Sequence, residues 1–373
     1  MNNKLPALYK STKLNATQFC SITVSGDTFT VTWGQVNGKE QSKPTKCFTT
    51  NSGKANERTP EQQAQFEAQA KWQKKVDTGY TTHLPSDAPD DFAAINLPQK
   101  VKVYQDQLHN IAEHVYVSDK LNGINGLYRL DNGSLTLYSR GGLPYPELPH
   151  LTDDITYLMT KNSLTSLNVE LYIHGEYLQD IQSAVTKPNE LSPRIQARIF
   201  ELPDEFGTYQ AHQVKLKHIS DHYTTEFVSV IPSILVHKSE IEHWYSGAMS
   251  RGCEGLIIRN PTGVYKYNER SSDVFKYKKS ISSEFKIVGY KIDKNRHPVL
   301  ICEASDYGQQ FAVKPMGTNE IRTRILTALL ANPDDYIGEW YTVEFECYSK
   351  SGIPLKPVGI ALRKVDSEGE ALE

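Results

Sequence analysis

Apolar and polar positions divide the chain into short strands, a few helices and one polar break. Residues 20–33 read as two β-strands joined by a turn at Gly26-Asp27, and Trp33 to Gly38 as a strand running into a turn. The pattern then predicts a helix over 60–76: Thr59-Pro60 opens it, and Phe66, Ala70 and Trp72 supply a partial apolar face. Pro85, Pro89, Pro98 and the acidic pair Asp90-Asp91 make 83–98 a linker. Beyond it, β-like runs occur at 114–118, 125–130, 134–139, 168–178, 228–231 and 255–259, with helices expected at 99–113 and 151–162. A third section begins near Ser283, with strands at 285–290, 299–302 and 310–313, a helix at 318–331 and an alternating strand at 340–348. Strands, one helix and further strands in that order suit a small barrel. The polar, acidic residues 367–373 form a tail.

Composition narrows this picture only in places. The 373 residues carry 41 Lys and Arg against 44 Asp and Glu, a net charge of −3, which excludes a uniformly basic nucleic-acid binder. The charge is unevenly spread. Residues 1–82 hold 11 basic and 6 acidic residues, so this piece is about +5 and points towards a polyanion. No apolar run approaches the roughly 18 to 20 residues of a membrane span, and Met1 to Lys10 lacks a secretory pattern. The five cysteines are scattered and form no CxxC pair, which predicts reduced thiols, no structural zinc and a cytoplasmic setting.

The candidate chemistry lies in a series of short segments. Ser118-Asp119-Lys120-Leu121-Asn122-Gly123 places a lysine at the end of a strand with a glycine three residues on. A lysine amine is a nucleophile only when unprotonated, so it needs a special environment. Downstream come Ser139-Arg140-Gly141-Gly142, His174-Gly175-Glu176, Phe200-Glu201, Glu254-Gly255-Leu256-Ile257-Ile258-Arg259 and Phe275-Lys276-Tyr277-Lys278.

In order and spacing these six segments resemble the covalent nucleotidyltransferases, and within them the small, phage-like ATP-dependent DNA ligases. The resemblance spans about residues 95–365. It implies an α+β architecture: a nucleotidyltransferase (ATP-grasp-like ligase) domain over 99–281 and a C-terminal OB-fold β-barrel over 282–366. It also implies that Lys120 attacks the ATP α-phosphate and holds AMP. Glu176 and Glu254 would bind the ribose and Mg²⁺, and Phe200 would stack on adenine, with Ser118 or Asp119 reading its edge. Lys276 and Lys278 would hold the α-phosphate, and Arg140 a phosphate of AMP or of the nick. Arg363 would orient the pyrophosphate, and Asn125 would lie towards the DNA. Arg259 stands where Lys is common.

The N-terminal segment, residues 1–82, resembles the WGR domain of poly-ADP-ribose polymerases through Trp33-Gly34-Gln35 and the later Lys74 to Tyr80. It implies a small α+β DNA-binding domain with Trp33, Lys39, Lys43 and Lys46 as candidate contacts. The implied activity is sealing of 5′-phosphate/3′-hydroxyl nicks in duplex DNA by a monomer, in the cytoplasm (a host cell's, if the source is viral). Asn122 and Asn125, where DNA ligases commonly carry Asp and Arg, keep an RNA or RNA/DNA-hybrid ligase open. Asn122 and Arg259 keep an inactive nick-binding homologue open.

Overall fold

A computed structural model of the chain describes residues 3–363 apart from 13–15, 52, 54, 85–95, 294 and 305–307. Most of the expected linker and the whole of the expected acidic tail lie outside the described residues. The chain divides into two compact units that meet between Tyr277 and Lys278.

The first unit begins with a five-stranded antiparallel sheet: β1 (Asn3–Lys4), β2 (Leu8–Ser11), β3 (Thr17–Ser25), β4 (Thr28–Gln35) and β5 (Glu40–Lys46). Gly26, at positive φ, makes the tight β3–β4 turn without steric cost. Alternation on β3 buries Cys20, Ile22 and Val24, and their register partners Trp33, Val31 and Phe29 share that face. Helix α1 (Pro60–Val76) covers the same face. Thr59 and Gln62 form a capping box, and Lys74 and Lys75 sit in the last turn, where the helix dipole favours cations. The buried line on α1 is Ala64 and Ala68, with Trp72 packed beside them, rather than the expected Phe66 and Ala70. Small residues let the helix approach the sheet. Phe66 is left exposed, with the Arg58 guanidinium 3.9 Å from its ring centroid.

Two further five-stranded sheets follow. One has the order β12-β11-β10-β8-β9, built from β8 (Ile124–Asp131), β9 (Ser134–Ser139), β10 (Ser166–Tyr172), β11 (Gln196–Glu201) and β12 (Val228–Val230). The other has the order β13-β7-β14-β15-β6, from β6 (Lys100–Val103), β7 (His114–Lys120), β13 (Ser233–His237), β14 (Gly255–Arg259) and β15 (Arg270–Tyr277). Helices α2 (Pro149–Lys161), α3 (Leu178–Thr186) and α4 (Tyr209–His222) form one core with Leu167, Val169, Leu171 and Ile199 of the first of these sheets. Helix α5 (Ile241–Ser250) forms a second core with Val115, Val117, Ile258 and Phe275 of the other. Each sheet thus spends its apolar face on helices and keeps its alternate positions for the opposite side.

Two expected elements differ. Residues 99–113 are not a helix, because Lys100–Val103 pairs in parallel with β15 as the edge strand of its sheet, and a short 3₁₀ turn, Gln105–Asn110, follows. Edge pairing outweighs the weak local preference. The strand expected over 168–178 stops at Tyr172; Gly175 turns the chain at positive φ, and α3 starts at Leu178.

The second unit is a closed barrel of order β16-β17-β18-β20-β19, from β16 (Ile281–Ile292), β17 (Pro298–Ala304), β18 (Gln309–Pro315), β19 (Trp340–Phe345) and β20 (Val358–Arg363), with α6 (Asn319–Ala331) between β18 and β19. Phe285, Ile287, Leu300, Val313 and Val343 fill it, and Leu329 of α6 joins that core. Closure removes free sheet edges. A Cβ at Gly359 on β20 would overlap the ring of buried Tyr341. We therefore expect Gly359→Ala to destabilise this unit by roughly 1–3 kcal/mol through overpacking, read as a lower urea midpoint for its unfolding transition.

Candidate active site

The polar sides of the two inner sheets line a cleft of about 320 Å³ within the first unit. That volume is at the small end of the range typical for ligand sites, about 300 to 1,000 Å³.

Strand register brings the reactive groups together. On β7, Ser118 and Lys120 alternate with Val117, so the apolar residue faces α5 and the polar pair faces the cleft. Lys120 is the last residue of β7 and pairs with Gly255, the first of β14. The Glu254 backbone N–H donates to the Lys120 carbonyl at 2.8 Å, which fixes the two residues side by side. The Lys120 ammonium forms an ion pair with the Glu254 carboxylate, both side chains about one-fifth exposed.

Gly123 explains the spacing of the lysine segment. A Cβ there would lie 2.6 Å from the Leu171 carbonyl oxygen and 2.8 Å from Glu170 Cγ. Only glycine lets the chain after Lys120 pass this close to β10. The Gly123 backbone N–H in turn donates to the Glu170 carboxylate. Glu170 keeps some surface on the cleft although protein encloses it, and its carboxyl is pushed up to about 7. Burial is the main cause. Lys120 opposes it, Glu254 adds to it, and the Gly123 N–H and Arg140 oppose it more weakly.

The opposite end of the cleft is built around Phe200. Between Asn168 and Val169 of β10 the partners on β11 jump from Glu201 to Ile199, so Phe200 is the extra residue of a β-bulge. The bulge aims Phe200 into the cleft beside Glu201. Beneath them lies a buried polar group. His212 Nδ1 is 3.1 Å from Glu201 Oε1, and Arg259 Nε is 3.5 Å from Glu201 Oε2, too long for a hydrogen bond. The Arg259 guanidinium also lies over the Tyr209 ring, 4.7 Å from its centroid, and 5.8 Å from that of Phe200.

Residues 208–278 match the family model of the ATP dependent DNA ligase domain. Two solved structures carry the same fold. One comes from a structure–function study of the Lig E DNA ligases: 20% identity, TM-score 0.59, over 72% of this chain and all of that one. The other, named Pmar-Lig_PreS3, has 14% identity and a TM-score of 0.61, over 72% of this chain and 67% of that one. No curated protein matches the chain.

Several residues expected from the sequence line this cleft: Ser118, Lys120, Asn125, Arg140 and Phe200. Arg140 is held on a turn in which the Gly142 N–H donates to the Ser139 carbonyl and the Leu143 N–H to Ser139 Oγ. Lys276 pairs in register with Ile257, which pairs with Ser118, and so shares the cleft-facing side of its sheet.

Others are placed differently. Glu176 does not line the cleft; it follows the turn after β10 and accepts from Arg194 Nη1 at 3.0 Å. Among the carboxylates that do line the cleft, Glu170 is the one coupled to Lys120 and Glu254, and the sequence reading missed it. Its signal was the alternation Leu167-Asn168-Val169-Glu170-Leu171, an apolar face with a polar reverse. Asp119 borders the cleft, but its carboxylate accepts from Arg251 Nε at 3.0 Å and Nη2 at 2.7 Å, on the face that alternation turns towards α5. Arg259 lies buried near Phe200 rather than at the lysine end. Lys278 and Arg363 belong to the second unit, where Lys278 Nζ is 2.8 Å from Glu346 and Arg363 Nε donates to Thr342 Oγ1 at 3.0 Å. Cys253 is a buried thiol pushed up to about 11, by burial first and by Asp119, which removes it as a nucleophile near neutral pH.

The N-terminal candidates do not share one surface. Trp33 lies on the helix-covered face of its sheet, Lys43 pairs with Val31 on that same face, and Lys46 pairs with Thr28 on the other. Lys46 is also 3.3 Å from Asp27, and Lys39 sits in the turn before β5.

Two outcomes follow from the lysine end. Gly123→Ala should displace Glu170 and Leu171 and lower thermal stability of the first unit by roughly 1–3 kcal/mol, with a larger loss of nucleotide binding. Glu170 gives a pH signature. Between its ordinary value of 4.5 and about 7 the folded chain holds a proton that the unfolded chain has lost, so stability falls as pH rises through this window. Glu170→Gln should therefore melt above the wild type at pH 8 and level with it at pH 4.

Proposed function

We propose that the chain is an ATP-dependent polynucleotide ligase that seals 5′-phosphate/3′-hydroxyl nicks in duplex DNA through a lysyl-AMP intermediate. The observation that carries this reading is the cleft itself. A strand-end lysine, ion-paired to Glu254 and beside Glu170, occupies one end, and a bulge-mounted aromatic ring occupies the other. A nucleotide has that same polarity, with phosphates at one end and a flat base at the other. The match at 208–278 and the shared fold support the assignment.

Lys120 Nζ attacks the α-phosphorus of ATP. A nitrogen–phosphorus bond forms, the bond to the bridging oxygen breaks, and pyrophosphate leaves. The adenylate then passes to a DNA 5′-phosphate, and the neighbouring 3′-hydroxyl displaces AMP. Arg140, at the cleft rim, and Lys276, on the cleft-facing side of β15, offset phosphate charge. The ammonium of Lys120 must lose its proton and its ion pair before it attacks.

Glu170 and Glu254 suit Mg²⁺, which is commonly held by one or two carboxylates plus substrate phosphates. Repulsion from Glu254 adds to the burial that raises Glu170, and a bound cation would relieve it. Glu170 and Glu254 would hold the ion, which would supply positive charge to balance the phosphates. In this reading Glu170 takes the place first given to Glu176.

The barrel is read as the OB domain of the ligase, with Lys278 and Arg363 as its phosphate-facing groups. The N-terminal domain is read as WGR-like, on Trp33-Gly34 at a strand end and a single helix over an antiparallel sheet. DNA contact there rests on its net positive charge rather than on Trp33, whose face is turned to α1.

Intact mass after incubation with ATP and Mg²⁺ tests the first step. Wild type should gain one adenylate, and Lys120→Ala none. Sealing of a nicked duplex should fall to background in Lys120→Ala and by roughly a hundredfold or more in Glu254→Gln. Nicks that differ only in the flanking sugars identify the substrate. Preference for ribose at the nick would replace DNA by RNA or a hybrid, the alternative that Asn122 and Asn125 motivate. Absence of any adduct with ATP, GTP or NAD would replace the enzyme by a nick-binding protein.

A further inference from the structure

Helix α4 carries two histidines near its C-terminal end that the cleft does not use. His218 and His222 are both exposed, whereas Leu216 and Ile219 of the same helix are buried in the core. Residues four apart on a helix are surface neighbours. The two imidazole rings lie with their centroids 4.6 Å apart.

A local hydrogen bond sets the chemistry of one ring. His222 Nδ1 is 3.0 Å from the His218 backbone carbonyl oxygen. A carbonyl only accepts, so Nδ1 carries the proton and donates, and the neutral ring keeps its lone pair at Nε2. Metal-bound histidines are held in this way, the second ring nitrogen donating to a carboxylate or a backbone carbonyl. The ring spacing agrees. With metal–nitrogen bonds of about 2.0–2.1 Å, two imidazoles on one ion at a square or tetrahedral angle have centroids roughly 4.5–5.3 Å apart. Position adds attraction, because His222 is the last residue of α4, where the helix dipole favours a cation. The neighbouring ammonium of Lys217 is held by Asp221 at 3.0 Å.

We infer that His218 and His222 form a two-imidazole site for a divalent transition-metal ion. Imidazole nitrogen suits Cu²⁺, Ni²⁺ and Zn²⁺, with Cu²⁺ held most tightly, whereas Mg²⁺ requires oxygen ligands. Among the described residues no group of three or more His, Cys, Asp or Glu is placed to hold a metal, so water completes the coordination. The ion bridges one turn and fastens the end of α4. The site is separate from the cleft and does not depend on what the cleft binds.

The test is calorimetric titration of the full chain with Zn²⁺ in excess Mg²⁺, which occupies carboxylate sites and leaves imidazoles open. The wild type should show one Zn²⁺ site that weakens about tenfold or more in both His218→Gln and His222→Gln. Both positions are exposed, so neither variant should disturb folding. Adding Ser220→His to His222→Gln restores the number of histidines at a spacing of two, where the rings do not face each other, and should not restore the site. Electron paramagnetic resonance of the chain with one equivalent of Cu²⁺ should show two bound nitrogens in the wild type and fewer in either single variant. Zn²⁺ affinity unchanged in either single variant overturns the inference, and so does recovery on adding Ser220→His. A Cu²⁺ spectrum identical in the wild type and both single variants overturns it as well.

Discussion

The arrangement depends on one register. Lys120 pairs with Gly255 across β7 and β14, and the Glu254 N–H is tied to the Lys120 carbonyl. A one-residue slip would send Ser118 and Lys120 into the apolar core against α5 and bring Val117 to the cleft. The core itself forbids that slip, because Val115, Val117, Ile258 and Phe275 are packed on the far side. Hydrophobic burial on one face thus sets the position of a charged group on the other. The geometry of the Lys120–Glu254 pair is inherited from the folding energetics of the sheet.

Polar groups inside this domain are concentrated where the two sheets face each other. Glu170, Asn168, Glu201, His212 and Arg259 are enclosed in protein, a placement that is costly for isolated polar groups. At the Phe200 end the cost is offset by pairing among Glu201, His212 and Arg259. At the lysine end it is only partly offset, since Glu170 remains raised despite Lys120, Arg140 and the Gly123 N–H. At the Phe200 end too, Asn168 Oδ1 and Arg259 Nε lack a hydrogen-bond partner, so the protein satisfies neither end completely.

Much of the fold was legible. The helix at Pro60–Val76 was written in Thr59-Pro60 and its capping partner Gln62, and the barrel strands in their alternation. Lys120, Phe200 and Arg140, which line the cleft, and Glu254, paired with Lys120, were singled out by their order along the chain. Gly175-Glu176 stands out locally but lies outside the cleft lining, whereas Glu170 is hidden among apolar neighbours and shows only as the polar reverse of an alternating strand. Asp119 and Trp33 could be assigned to a face only once strand pairing was known. His212 had no sequence signal at all, since its partner Glu201 lies on another element and the pair exists only in three dimensions.

The bulge at Phe200 separates two demands on the same strand. Its residue is surplus to the ladder between β10 and β11, so the ring contributes little to holding the sheet together. Its neighbours Ile199 and Glu201 keep their partners whatever ring occupies the surplus position. Evolution can therefore exchange the residue at this position at small cost to folding, and the shape of the cleft's wall can change while the scaffold stays intact.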